Sequence, residues 1–196
     1  LQGNVTGADV GYVFPGTQSL KWMRVEQEGR YSDTNLSNPP ASTVPSPLLK
    51  NNYLTMWFDH GSNPSNASYQ YAILPNASKN ETSAYAASPD YTVLANSQDV
   101  QAVRENKLGV TGFNFWKDKV TTVDGLTSNS KASVMMHGNK YTGAYELAVA
   151  DPTLENSGYI EIELDKTALN VISKDDRIQI QQLSPSLKLK VNVKDT

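Results

Sequence analysis

An antiparallel all-β fold is predicted for this chain, and three observations predict it. Apolar and polar residues alternate strictly in the last third: Ile160, Ile162 and Leu164 against Glu161 and Glu163, Ile178 and Ile180 against Gln179 and Gln181, and Leu187, Leu189, Val191 and Val193 against lysines and Asn192. Each such segment has one wet and one buried face, as antiparallel sheets allow. Turn residues (Gly, Pro, Asn, Asp) break the chain at short intervals. Only one short segment carries a helix signature. Two such sheets packed face to face make a sandwich.

The elements follow in order. Val10–Phe14 is an apolar run closed by Pro15-Gly16, and Leu20–Val25 is expected to pair with it before a turn at Gly29. The segment from Ser32 to Lys50 holds four prolines and reads as a long irregular loop or extended edge. Asn52–Phe58 is a strand, and "SYQYAILP" is a second one in which Tyr69, Tyr71 and Ile73 alternate with Gln70 and Ala72. Ser78, with Glu81 three residues on, forms a capping box, so "KNETSAYAA" is a short helix stopped near Ser88-Pro89. A domain boundary is placed here, giving units 1–90 and 91–196. "YTVLAN" is a strand, and "VQAVREN" fits a strand or one helical turn. "LGVTGFNFW" is a strand whose glycines suggest a twist or bulge. "ASVMMHGNKYTGAYELAVA" reads as a hairpin with His137-Gly138-Asn139 at its tip.

Composition excludes several functions. A net charge of −3 leaves no footprint for nucleic acid. No apolar run has the length of a membrane span. Cysteine is absent, which removes disulfides, thiol catalysis and Cys-based zinc sites. N-x-S/T sequons at Asn4, Asn35, Asn66, Asn76 and Asn80 are read as chance in an Asn/Ser/Thr-rich chain.

The candidates for chemistry are few. His60 and His137 both fall in Gly-containing segments, with no second histidine at metal-ligand spacing. Asp59 adjoins His60, yet neighbouring side chains in an extended segment point to opposite faces. "DHGSNP" therefore reads as a turn: Asp59 and Asn63 form Asx turns, Gly61 takes a special backbone conformation, and Pro64 ends the loop. No cofactor is expected. Glu161, Glu163 and Asp165 share one strand face, but no loop supplies the further oxygens that Ca²⁺ takes. "SKDDR" (173–177) is weighed as a cation site on similar grounds. Ten tyrosines and three tryptophans suit stacking on sugar rings, and a guanidinium fork suits a sugar carboxylate. Arg24 and Arg30, near Trp22 and Tyr31, are the substrate-contact candidates, with Tyr31 beside them. The alternative places Trp22, Trp57 and Trp116 in the core or at a domain interface.

The segments "DHGSNP" (59–64), "YQYAILPNAS" (69–78) and "VQAVRENKLGVTGFNFW" (100–116), in this order, resemble the polysaccharide lyases that include hyaluronate, chondroitin AC and xanthan lyases. "GYVFPG" (11–16) and "GRYSDTN" (29–35) are similar to the upstream end of the same region. The resemblance covers roughly residues 10–120, and the rest fits by position and strand pattern. It implies that 1–90 is the end of a large β super-sandwich and 91–196 a small C-terminal β-sandwich. The family's eliminative chemistry uses Asn, His, Tyr and Arg of an N-terminal α/α-toroid, so no catalytic residue maps onto this chain. Some xanthan-cleaving relatives use a β-domain arginine for the pyruvate of a side-chain sugar. The resemblance implies a non-catalytic β segment of a bacterial, secreted or extracellular lyase, partnered by the toroid, the rest of the super-sandwich and an acidic polysaccharide. A detached end of a sheet would expose an open edge and half a core. A free-standing carbohydrate-binding or structural β-sandwich module is the rival reading.

Overall fold

The computed structural model describes residues 1–3, 5–16, 19–30, 33 and 47–194. The chain divides into two compact units, Leu1–Ala86 and Ala87–Thr196. It is antiparallel and nearly all β.

In the first unit, β1 (Val10–Val13) pairs with β4 (Ala72–Pro75), and β2 (Leu20–Gly29) with β3 (Leu49–Phe58). This corrects the expected pairing of the first two strands with each other. Ladder length explains the difference. β2 and β3 are ten residues each and match along their whole length, from Leu20 opposite Phe58 to Gly29 opposite Leu49. The four residues of β1 find an equally short partner, Val13 opposite Ala72. Unmatched lengths would leave backbone N–H and C=O groups unpaired. Tyr69 and Tyr71, expected within a strand, precede β4, which begins only at Ala72. Most of the proline-rich segment expected as a loop lies outside the described residues.

The helix α1 (Lys79–Ala87) starts where its capping box places it. The Ser78 N–H donates to Glu81 Oε2 at 2.8 Å, and the Glu81 N–H returns to Ser78 Oγ at 3.3 Å. These bonds hold the Glu81 carboxyl below its ordinary range.

The second unit is a sandwich of two five-stranded sheets. One runs β11 (Tyr145–Ala150), β10 (Ala132–Gly138), β7 (Val110–Phe115), β6 (Val100–Glu105), β5 (Tyr91–Asn96). The other runs β13 (Ile178–Gln182), β14 (Leu187–Asn192), β12 (Tyr159–Leu164), β9 (Leu126–Ser128), β8 (Thr121–Val123). "VQAVREN", ambiguous in sequence, is thus the strand β6. Phe113, Phe115, Val134 and Met136 of the first sheet meet Leu126, Ile160, Ile162, Leu164, Leu189 and Val191 of the second in one buried cluster. The alternating residues of each strand supply one inner face. On the outside of the second sheet, Glu161 stands opposite Lys190 and Glu163 opposite Lys188.

His137 does not sit at a hairpin tip. It lies in β10 opposite Glu146, because pairing continues through Gly138 opposite Tyr145. The reversal belongs to Asn139, whose Oδ1 accepts the Tyr141 and Thr142 N–H groups at 3.0 and 3.1 Å.

Candidate functional site

The β2–β3 ribbon presents the candidate residues of the first unit. Facing residues share a side, so Trp22 and Met56, then Arg24 and Leu54, form successive rows on one face. Trp22 is 67% exposed. Arg24 is exposed too, and has no ion-pair partner among the described residues. Beyond it, Lys50 Nζ lies 2.9 Å from Glu28 and 3.8 Å from Glu26, so one of the two negative charges at that end of the ribbon is offset. The other face carries Trp57, Met23 and Tyr53, also exposed.

Arg30 follows the last residue of β2. Its N–H donates to Asp33 Oδ2 at 2.7 Å and its carbonyl accepts the Asp33 N–H at 3.0 Å. Six extended residues set Arg30 about 20 Å from Arg24. The structure therefore does not bring the two guanidinium groups together on one carboxylate. Tyr31 lies outside the described residues.

The Asp59–His60 pair resolves into two separate roles. Asp59 is hydrogen-bonded and ion-paired to Lys21 Nζ, and its Oδ1 accepts the Gly61 N–H at 2.9 Å. Gly61 and Asn63 have φ of +70° and +52°, values that glycine and asparagine adopt at low cost, and Pro64 follows them. The His60 ring turns away into an aromatic group. It stacks on Phe58 at 6.5 Å and lies 6.2 Å from Tyr69, which in turn stacks on Phe58 at 5.1 Å. Phe14 meets Phe58 edge-on at 5.8 Å, and Tyr71 stacks on Tyr69 at 6.3 Å. Local spacing gave no sign of this cluster, because Phe14 comes from a different ladder than Phe58.

The Lys21 hydrogen bond, then the Gly61 N–H, holds the Asp59 carboxyl below the usual carboxylate range. The depressed value sets the sign: this support is complete above the ordinary aspartate range and disappears as pH falls through the lowered pKa. Lys21→Ala is expected to move Asp59 back up toward 3.8. A carboxyl-carbon NMR titration checks this, and an unmoved midpoint would remove Lys21 as the cause.

Two of the three carboxylates weighed for Ca²⁺, Glu161 and Glu163, have protein partners. Glu163 lies 3.5 Å from Lys188 Nζ and accepts the Ser186 hydroxyl at 2.5 Å, and Glu161 lies 3.8 Å from Lys190 Nζ. Asp175 receives a two-pronged contact from Arg177, at 3.1 and 3.3 Å, which pulls its pKa down to about 2. Among the described residues no group of three or more His, Asp or Glu is arranged to hold a metal ion. None of their helices is long and apolar enough to cross a membrane.

Fold and surface define a two-unit antiparallel β protein with exposed aromatic rings beside the Arg24 guanidinium group, which has no ion-pair partner among the described residues. A family model for the super-sandwich domain of polysaccharide lyase family 8 matches residues 2–86, and one for that family's C-terminal β-sandwich domain matches residues 92–160. This chain belongs to polysaccharide lyase family 8, as part of its β region. The xanthan lyase of Bacillus sp. (strain GL1) is 44% identical over 194 residues, 98% of this chain and 20% of that protein. The hyaluronate lyase of Thermasporomyces composti is 32% identical over 187 residues, 95% of this chain and 23% of that protein. A solved Paenibacillus xanthan lyase superposes with a TM-score of 0.88 at 44% identity, over 98% of this chain and 18% of that one. The chondroitin AC lyase of Streptomyces coelicolor A3 superposes at 0.79 with 30% identity, over 93% of this chain and 23% of that one. The chain spans about a fifth of the length of these relatives.

Proposed function

We propose that this chain is the non-catalytic β segment of a bacterial extracellular polysaccharide lyase that cleaves a uronate-containing polymer of the xanthan or hyaluronan type. The observation that carries the reading is similarity along 98% of the chain to a xanthan lyase about five times its length. In the complete enzyme a base takes the C5 proton of the uronate. The electron pair forms the C4–C5 double bond, and the C4–O bond breaks with an acid protonating the leaving oxygen. Donors on the carboxylate stabilise the charge that develops there. These groups belong to the α/α-toroid partner, and this segment supports it without a cofactor of its own.

Within this reading Arg24 is the residue that lines the cleft and meets a substrate carboxylate. In the complete lyase, Arg24→Ala is expected to raise KM about tenfold while leaving kcat near the parent value. An unchanged KM would take Arg24 out of the cleft. The reading as a whole is tested on protein purified from its source. Size-exclusion chromatography should show a particle much larger than 21.5 kDa, and ultraviolet absorbance should show an unsaturated uronate product. A particle of this chain alone, without elimination activity, would overturn it.

A further inference from the structure

The outward face of the sheet β11-β10-β7-β6-β5 is built unlike a merely solvated surface. Its residues fall into cross-strand rows fixed by register. One row is uncharged and polar: Asn96, Gln101, Asn114, Ser133, ending at Ala150. The next is apolar: Val93, Val103, Gly112, Met135, ending at Ala148. Val103 and Met135 are 44% and 58% exposed. Between them, a Cβ on Gly112 would meet nothing within 4 Å, so the apolar row has a shallow furrow at its centre.

Trp116 continues the outward series of Gly112 and Asn114, directly after β7. It is 45% exposed, and its N–H donates to the Asp99 carbonyl at 2.9 Å, which ties it beside the turn that joins β5 to β6. Two residues of strand put it about 7 Å from Asn114. The polar row keeps unused capacity. Ser133 Oγ donates to Asn114 Oδ1 at 2.7 Å, and Gln101 Nε2 reaches Asn96 Oδ1 only at 3.5 Å. The Asn114 amide N–H groups and the Gln101 side-chain carbonyl have no partner among the described residues.

We infer that this face is a glycan-binding surface for a neutral, flat, β-linked polysaccharide stretch, separate from the Arg24 ribbon. Pyranose rings offer an apolar C–H face and a rim of hydroxyls. Trp116 supplies the ring platform. Asn114 and Gln101 supply a donor and an acceptor for the rim, and the Gly112 furrow takes the apolar face of the following sugar. Such a mostly apolar surface with a few placed polar groups is how small ligands are oriented. Charge selects the class. Both rows are free of charged residues, and at their margins Asp99 is ion-paired with Lys119 at 2.6 Å while Glu146 lies 3.5 Å from His137. A polyanion therefore finds no cationic partner along the two rows, and a neutral chain needs none.

The test is titration of the full chain with a β-1,4-linked glucose hexasaccharide, followed by ¹H–¹⁵N NMR and tryptophan fluorescence. The Trp116 indole and the side-chain amides of Asn114 and Gln101 are expected to shift together. A hyaluronan hexasaccharide should leave them still. Trp116→Ala should weaken binding about tenfold or more, with Trp116→Tyr restoring most of it. Gly112→Val separates binding from folding. It adds a strand-favouring side chain in open space, so the melting temperature should hold or rise while binding falls. Absence of shifts at millimolar sugar, shifts confined to other residues, preference for the acidic hexasaccharide, or unaltered binding by Gly112→Val would each overturn the proposal.

Discussion

Phe113→Ala is expected to lower the stability of the second unit by about 3–5 kcal/mol. Phe113 is 2% exposed and stacks on Phe115 at 6.2 Å, between the sheet it belongs to and Leu126, Ile160 and Ile162 of the sheet opposite. Truncation removes the transfer free energy of the ring and leaves a void, because β7 is held on both sides by β6 and β10 and cannot collapse inward. Stabilities of whole domains are about 5–15 kcal/mol, so one ring is a large share of the total. Urea unfolding read by backbone NMR signals of the two units should show a lower midpoint in residues 87–194. A change under about 1 kcal/mol would mean that the two sheets do not close on Phe113.

The second large effect is expected at Gly109, where the β6–β7 connection turns. Its φ is +70°, and an added Cβ would stand 2.8 Å from the Gly138 carbonyl oxygen. That carbonyl cannot move away easily, since the Gly138 N–H donates to Gly109 O at 3.0 Å and Gly138 closes the β10–β11 ladder. Gly109→Ala combines left-handed strain with a clash against backbone, together about 2–4 kcal/mol. Three residues on, Gly112 has open space, and substitution there should cost little. A thermal melt of the two variants side by side makes the contrast. If Gly109→Ala melted with the parent, the close approach of the β6–β7 turn to the end of β10 would be wrong.

What was legible in sequence follows from physics. Ile160, Ile162 and Leu164 announce a strand because one face is dry and the other wet, and their exposure of only 0–2% bears that alternation out. The capping box at Ser78 is local chemistry and was equally readable. Pairing between distant segments was not. Nothing near Val10 signals that its partner is Pro75, and the simplest guess, the next strand, was wrong. His137 was misplaced for a related reason. Gly-Asn suits a tip, but only the partner strand shows that Gly138 is still paired. The site was less legible still. Arg24 and Trp22 share a face by their spacing, yet the 20 Å or so to Arg30 depends on β2 running unbroken to Gly29. Trp116 was singled out only as an aromatic, because the polar row beside it comes from four strands.

The charge pairs Glu161–Lys190 and Glu163–Lys188 bear on how this sandwich assembles in time. β14 must find β12 across the whole β13 excursion, and β9 must find β12 from the other side, so much of the second sheet closes through distant contacts. Chains of that topology fold in roughly milliseconds to seconds, with wrong alignments available throughout. A slip of one residue would turn Leu189 and Val191 outward and set Lys188 and Lys190 toward the apolar side of Ile162 and Leu164. The alternating signs therefore act as a proofreading device during strand docking. They contribute little to the finished fold but raise the energy of the misaligned one.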